Sequence, residues 1–567
     1  MKISRNLAFG LFCLISFPLF SQNMYVELNL NEESAAHPFA RPKFPLDVFS
    51  VIDRAANDNR VNGIILNLGA VSGGRNYLWE LRNALERFKS RGKKICAFIS
   101  NADIDVYCLA SVADKIVMDE LGTLSVLGYS VGRGYVKHTL EKLGIGVREL
   151  RYFEYKSASE MFTRDSMSEA DRRQYNDYLD DIFGLTRDTL KVARNWTDEE
   201  FDAVINGGFL FSAKDAQSRG LVERVGRKDA VLEALKEIEG AEVKKFALYG
   251  DSDSSLTGSQ ATYNPVRARR FFGSPPVIAV VYANGQTDME RGMAAAALSK
   301  TIRELADKGR VKAIVLRINS PGGSAEAADY VAEAVRYAKQ KKPVVVSMGE
   351  VAASGGYWAA MYASHIAASP YTITGSIGVI GSWFYNNGLN SKLGLSVDTI
   401  QRGEHADLMT GFLVPQRNLT SQEEERYRRY ILDLYSVFVE KAAGGRGMEI
   451  EKVEIAAQGR VFSGARALEA GLIDSIDGLS GAIRTARTLA EIPEKRAVKY
   501  EEYPKPKFLE KLLESFPLAS IFLNRTGKRS SVAPFFADLL PPDMDIRYRL
   551  ENNGHVMPIL PLDFSVF

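Results

Sequence analysis

Shifted against itself by 250 residues, this 567-residue chain matches itself over long stretches. Residues 51–66 (VIDRAANDNRVNGIIL) lie over 301–316 (TIRELADKGRVKAIVL), with Ile52 on Ile302, Arg60 on Arg310, Val61 on Val311 and Leu66 on Leu316. The register runs on through Gly73 on Gly323, Tyr107 on Tyr357, Ala110 on Ala360 and Ile116 on Ile366. It still holds where Lys142-Leu143-Gly144 meets Lys392-Leu393-Gly394, then slips to 251, pairing Phe211-Ser212 with Phe462-Ser463 and Gly220-Leu221 with Gly471-Leu472. One offset kept for so long means two copies of one structural unit, so the chain has to build the same fold twice.

Within each copy, apolar runs such as Gly63–Leu68 and Ala313–Ile318 read as buried strands. Tyr77–Arg91 and Ala325–Gln340 carry helical spacing. Strand–helix alternation predicts an α/β fold of parallel βαβ units with right-handed crossovers. The expected division is a leader at 1–23, a first repeat at 24–245, a linker at 246–275, a second repeat at 276–490 and an extension at 491–567. The linker contains the Ser- and Asp-rich stretch Asp251–Ser259, and the extension holds Pro504-Lys505-Pro506 and an apolar-basic run, Phe508–Asn524. That run reads as an amphipathic helix, packed on the protein itself or touching a membrane.

Charge and cysteine content narrow the partners. Lys plus Arg (72) nearly balances Asp plus Glu (70), so there is no basic footprint for nucleic acid. Three cysteines are too few for a disulfide framework, and no cluster has metal-ligand spacing. Neither a metal nor a cofactor is expected, and Cys96 and Cys108 read as small core hydrophobes. At the N-terminus Lys2 and Arg5 precede an apolar stretch, Leu7–Phe20, before the polar Ser21-Gln22-Asn23. This is the pattern of a secretory signal, with a membrane anchor as the alternative, and either implies export.

The chemistry lies in two glycine-rich turns of the second copy, each reading as strand, turn, helix: RINSPGGS at 317–324 and SMGEVAASGGYWAA at 347–360. Ser354 falls where a helix should begin, as a nucleophile or as a plain N-cap. The N–H groups of Gly323 and Gly355 could form an oxyanion hole around a carbonyl that Ser354 attacks. A serine nucleophile needs a base, and the five histidines (His37, His138, His365, His405, His555) give no convincing triad. His365 falls within the helix predicted to follow Ser354, so it is expected to point elsewhere.

The runs GEVAASGGY at 349–357, NSPGGS at 319–324 and TGSIGVIG at 374–381 resemble the bacterial signal peptide peptidase A family, in its long, duplicated form. YKSA at 155–158 is similar to the segment in which that family keeps its catalytic lysine. The resemblance spans roughly residues 24–490. It implies Ser354 as nucleophile, Lys156 as general base and Ser376 as the hydroxyl that orients the lysine amine. The fold it implies is two tandem Clp protease/crotonase-like domains that form one composite active site. It further implies hydrolysis of cleaved signal peptides and other hydrophobic peptides at the periplasmic face of the bacterial inner membrane, by a homo-oligomer, a tetramer in the long form.

The repeat supports this division of labour. Lys156 lies over Ala406, and Ser354 lies over Ile104, where Asp105 and Val106 replace Gly355 and Gly356. The first copy keeps the lysine and the second keeps the serine, as expected of a site formed across two once-identical units. The lysine must be neutral to take the serine's proton, and Tyr152, Phe153, Tyr155 and Phe162 are the expected desolvating neighbours. Three alternatives stay open: a histidine-based dyad at His405, a crotonase-type enzyme acting on acyl-CoA, and a scaffold with a decayed site.

Overall fold

The apolar runs become strands whose side chains are covered on both faces, as parallel sheets require. The computed structural model describes residues 24–30, 45–69, 71, 73–241, 243, 245–249, 274–411, 413–494, 496–505, 556–557 and 565–566. The expected leader and the Phe508–Asn524 run lie outside these residues.

The first repeat contains β1 (Met24–Asn29), β2 (Val61–Asn67), β3 (Lys94–Ala102), β4 (Lys115–Leu124), β5 (Val131–Gly132), β6 (Ile145–Leu150), β7 (Phe211–Ser212), β8 (Arg224–Val225) and β9 (Lys245–Tyr249). The second contains β10 (Val277–Asn284), β11 (Val311–Ser320), β12 (Val344–Ala353), β13 (His365–Ala368), β14 (Ile373–Gly375), β15 (Ile380–Asn386), β16 (Val461–Ser463), β17 (Ser475–Ile476) and β18 (Lys499–Tyr503). Two short strands follow, β19 (Val556–Met557) and β20 (Ser565–Val566).

The two main sheets have the same topology. One runs β7-β4-β3-β2-β1-β9 and the other β16-β14-β12-β11-β10-β18. Each path is parallel except at its β7 or β16 end, which is antiparallel. Helices Arg75–Lys89 and Ala325–Lys339 are the crossovers after β2 and β11, close to their expected spans. Each sheet has its own apolar core, and Cys96 is part of the first repeat's packing. Burial pushes the Cys96 and Cys108 thiols up to about 12, consistent with inert core residues.

Three expectations need correction. β9 starts at the last residue of the expected first repeat and runs into the stretch expected to be linker, and β18 lies beyond residue 490, where the repeat was expected to stop. Both are parallel edge strands too short to carry a pattern of their own. His365 is on strand β13 and not in a helix, because the helix after Ser354 is only Gly355–Ala360.

Among the described residues, one strand of the first repeat pairs with a strand of the second. β6 pairs antiparallel with β15, from Leu150 opposite Gly381 to Ile145 opposite Asn386. Leu150 and Phe153 are accordingly buried in the second repeat's core. Residues 395–400, which align with β6 at the 250 shift, form no strand.

Candidate active site

β12 ends at Ala353, and the chain turns at Ser354 into helix Gly355–Ala360. Ser354 has φ 56° and ψ −114°, a conformation that costs a non-glycine residue on the order of 1–3 kcal/mol. Its N–H donates to the Gly375 carbonyl at 2.8 Å, and its carbonyl accepts from Trp358 N–H at 2.9 Å, which hold the turn. The hydroxyl makes no capping bond, so the simple N-cap reading fails.

That hydroxyl meets the lysine instead. The crossing of β6 onto β15 brings the loop after Leu150 against the turn before Ile380, and Lys156 enters the second repeat there. Its Nζ is 2.7 Å from Ser354 Oγ, 2.9 Å from Ser376 Oγ and 2.9 Å from the Ser376 carbonyl oxygen. Lys156 is 1% exposed, and both serines are fully buried. Ser376, also at positive φ (50°), is fixed by its N–H donating to the Arg460 carbonyl at 2.7 Å.

Part of the cover over Lys156 comes from the second repeat. A Cβ on Gly459 would fall 2.6 Å from Lys156 Cβ, and Gly459 has φ +79°, so only glycine lets the two backbones approach. Of the expected aromatic neighbours, Phe153 stacks on Tyr435 and Phe162 packs edge-on against Phe384, both within cores. Tyr152 and Tyr155 are only half-buried.

The glycine-rich turn after β11 lies alongside. Thr287 N–H donates to the Gly322 carbonyl at 2.8 Å, and Ser324 N–H donates to the Thr287 carbonyl at 2.7 Å. This bridge turns Gly323 N–H away from Thr287. Neither it nor Gly355 N–H has an acceptor among the described residues. Gly323 has φ +148°, and a Cβ there would sit 2.5 Å from the Thr287 carbonyl.

The histidines lie elsewhere. His405 Nδ1 is 2.7 Å from Glu423 Oε1, His365 Nε2 is 2.8 Å from Ser475 Oγ, and His138 pairs with Glu141 on the surface. His37 and His555 are outside the described residues. Among the described residues no group of His, Cys, Asp and Glu could hold a metal ion.

Sequence reasoning missed a polar contact that docks the first repeat onto β12. Helix Arg75–Lys89 has no side-chain cap of its own, and Glu350 accepts the Asn76 N–H at 3.1 Å from across the interface. The buried Asn76 side chain donates to Thr372 Oγ1 at 3.0 Å and to the Gly349 carbonyl. Burial raises the Glu350 carboxyl above its ordinary pKa. Glu350 is in the motif that contains Ser354, but sequence could not assign it a partner 274 positions away.

The fold is Clp protease-like, and its relatives define the chain as a serine peptidase. The model of peptidase family S49 matches it twice, at residues 87–244 and 336–493, and a Clp protease model matches residues 284–367. The chain belongs to peptidase family S49. It is 32% identical to the chloroplastic serine protease SPPA of Arabidopsis thaliana, over 84% of this chain and 70% of that protein. It is 30% identical to Protease 4 of Salmonella typhi, over 81% of this chain and 74% of that protein. Protease 4 of Haemophilus influenzae is likewise 30% identical, over 80% and 74%. Family membership leaves the acyl-CoA alternative without support.

Proposed function

We propose that Ser354 and Lys156 form the catalytic dyad of an endopeptidase that hydrolyses cleaved signal peptides and other hydrophobic peptides through an acyl-enzyme. The observation that carries this reading is the 2.7 Å separation of Lys156 Nζ and Ser354 Oγ, within the reach proton transfer needs. A neutral amine has two N–H donors and one lone pair. In the neutral form the two Ser376 oxygens would take the donors, which leaves the lone pair for the Ser354 hydroxyl. Burial drives an ammonium toward the neutral form the role requires.

In the proposed reaction Lys156 takes the Ser354 hydroxyl proton as Oγ attacks the scissile carbonyl carbon. The N–H groups of Gly323 and Gly355 stabilise the resulting oxyanion. As the tetrahedral adduct collapses, the Lys156 ammonium returns its proton to the departing amine. Water, deprotonated by the neutral Lys156 amine, then attacks the acyl carbon, and the lysine returns that proton to Ser354 Oγ as the carboxylic acid leaves.

On this reading the chain divides into a lysine-bearing unit closed by β9 and a serine-bearing unit closed by β18. The N-terminal apolar run would carry the protein to the periplasmic face of the inner membrane, as a cleaved signal or a retained anchor. Among the described residues no helix is long and apolar enough to cross a membrane. Self-association fits the unpaired 395–400 segment. It aligns with β6 but lies exposed, with Ile400 90% accessible, and a second copy could pair with it as β15 pairs with β6.

The test is hydrolysis of a fluorogenic peptide ester by the full chain. Ser354→Ala and Lys156→Ala should each lower kcat by about 10⁴-fold or more, with the fold intact by circular dichroism. Rate should rise with pH as the lysine amine loses its proton. Activity that survives loss of Lys156, or a flat profile from neutral to alkaline pH, would overturn the dyad.

A further inference from the structure

Two buried polar side chains of the first repeat lie behind the lysine loop without touching a reacting atom. Asp171 is the third residue of helix Glu169–Arg194. It pairs with Arg133, accepts from the Ser157 hydroxyl and accepts from Gln174 Nε2 at 2.8 Å. Arg133 in turn donates to the Ser157 carbonyl at 2.7 Å. This cluster grips the residue next to Lys156.

Gln174 lies one turn further along and faces both repeats. Its Nε2 reaches the Ser157 hydroxyl at 3.3 Å and the Tyr155 carbonyl at 3.4 Å, on either side of Lys156. Its Oε1 accepts the Val461 N–H at 3.1 Å. Val461 is paired with Gly375, and the neighbouring Arg460 carbonyl receives the Ser376 N–H. One amide therefore spans the loop that presents the lysine and the strand that holds the Ser376 turn.

The second repeat separates the roles of these two residues. Helix Ser421–Arg446 also begins with a buried acid at its third position, Glu423, held by Arg417 and His405. A buried acid at this place thus persists in the copy that has no lysine, and it anchors the helix start. Three residues on, where the first repeat has the buried Gln174, stands Arg426, which is exposed. The glutamine occurs only in the copy with the lysine.

We infer that Gln174 is a positioning residue for catalysis, setting the Lys156 amine against the Ser376 turn across the repeat interface. The inference rests on the proposed Ser354–Lys156 dyad. An amide suits this place because its two donors serve the Tyr155 carbonyl and the Ser157–Asp171 pair while its oxygen takes an N–H, without adding a charge that would hold the lysine protonated. Displacement of a reacting group by about 1 Å can cost on the order of a hundredfold in rate. A loosened, wetter lysine should also titrate closer to its free value.

The experiment compares Gln174→Met, Gln174→Asn and Arg426→Met in the full chain on the same peptide ester. Gln174→Met should lower kcat about ten- to a hundredfold, leave KM nearly unchanged and move the acid limb of the pH–rate profile to higher pH. Gln174→Asn keeps the amide one methylene short and should fall between it and wild type, and Arg426→Met should match wild type. The position of the limb does not depend on how much protein is folded, so a poorly folding variant still reports. An unmoved limb in both glutamine variants, with or without a loss of rate, overturns the positioning role. Hydrolysis by Lys156→Ala would sink the dyad itself, whereas a dead Lys156→Ala beside an unchanged Gln174→Met removes only the glutamine's part.

Discussion

The same strand-to-helix turn is strained in one repeat and relaxed in the other. In the second repeat Ser354 stands at φ 56° with its hydroxyl free of any capping bond. In the first repeat the helix Ile104–Ala110 starts from Asp103 at φ −89°, whose side chain caps it by accepting Val106 N–H. The space beside that turn is filled by an ion pair, Arg75 with Asp105 at 3.0 Å, under the Tyr129 ring. The scaffold around the two turns is nonetheless the same. Tyr107 hydroxyl donates to the Leu221 carbonyl at 2.8 Å, and its aligned partner Tyr357 donates to the Leu472 carbonyl at 3.0 Å. Duplication kept the frame that holds such a turn and kept its strain in one copy only. On the proposed reading, strain is tolerated where it turns a nucleophile toward its base, and it relaxes into an ordinary cap where none is needed.

The sharpest way to break this comparison is at Gly459 and its aligned partner Gly208. Gly459→Ala puts a methyl into the Lys156 backbone at positive φ and should lower activity about a hundredfold. Gly208 is extended (φ 176°), and a Cβ there meets only the Phe211 ring at 3.2 Å, so Gly208→Ala should change the rate less than about twofold. Equal losses in the two variants, measured on the peptide ester, would mean the repeats are not functionally divided. A smaller effect is expected at the ion pair that fills the first repeat's turn. Asp105→Ala strands a largely buried Arg75 and should cost about 2 kcal/mol of stability in denaturant melts, with kcat unchanged. A drop in kcat would give the first turn a part in catalysis.

The smallest effect concerns pH. Arg417, with the Thr420 N–H and His405, holds the Glu423 carboxyl well below its ordinary 4.5. A carboxyl with a depressed folded pKa stabilises the fold above pH 4.5, and that contribution is lost as pH falls toward the folded value. The Tm gap between wild type and Glu423→Gln should therefore be widest near neutrality and close below about pH 4.5. A gap independent of pH would mean that Glu423 acts through packing and not through charge.

Much of the candidate site was legible from residue types and register. Ser354, Gly323 and Gly355 stand in glycine-rich turns whose local chemistry is visible in ten residues. Lys156 is one of 72 basic residues, and only the repeat and the resemblance singled it out. Gln174, Glu350 and Gly459 left no such signal, because each acts on backbone from the other repeat, hundreds of positions away. Edge strands β9 and β18 were missed for a related reason: a short edge strand is defined by the partner it pairs with.

The amino-acid order by itself determined that one α/β unit is built twice, since a buried parallel strand and its crossover helix are written in local hydrophobic pattern. It also determined which copy carries the hydroxyl and which the amine. Only the tertiary structure decided that these two atoms meet, through β6 leaving its own repeat to pair with β15. Backbone hydrogen bonding between strands is indifferent to side-chain identity, so the pairing that assembles the site leaves almost no trace in the residues that make it.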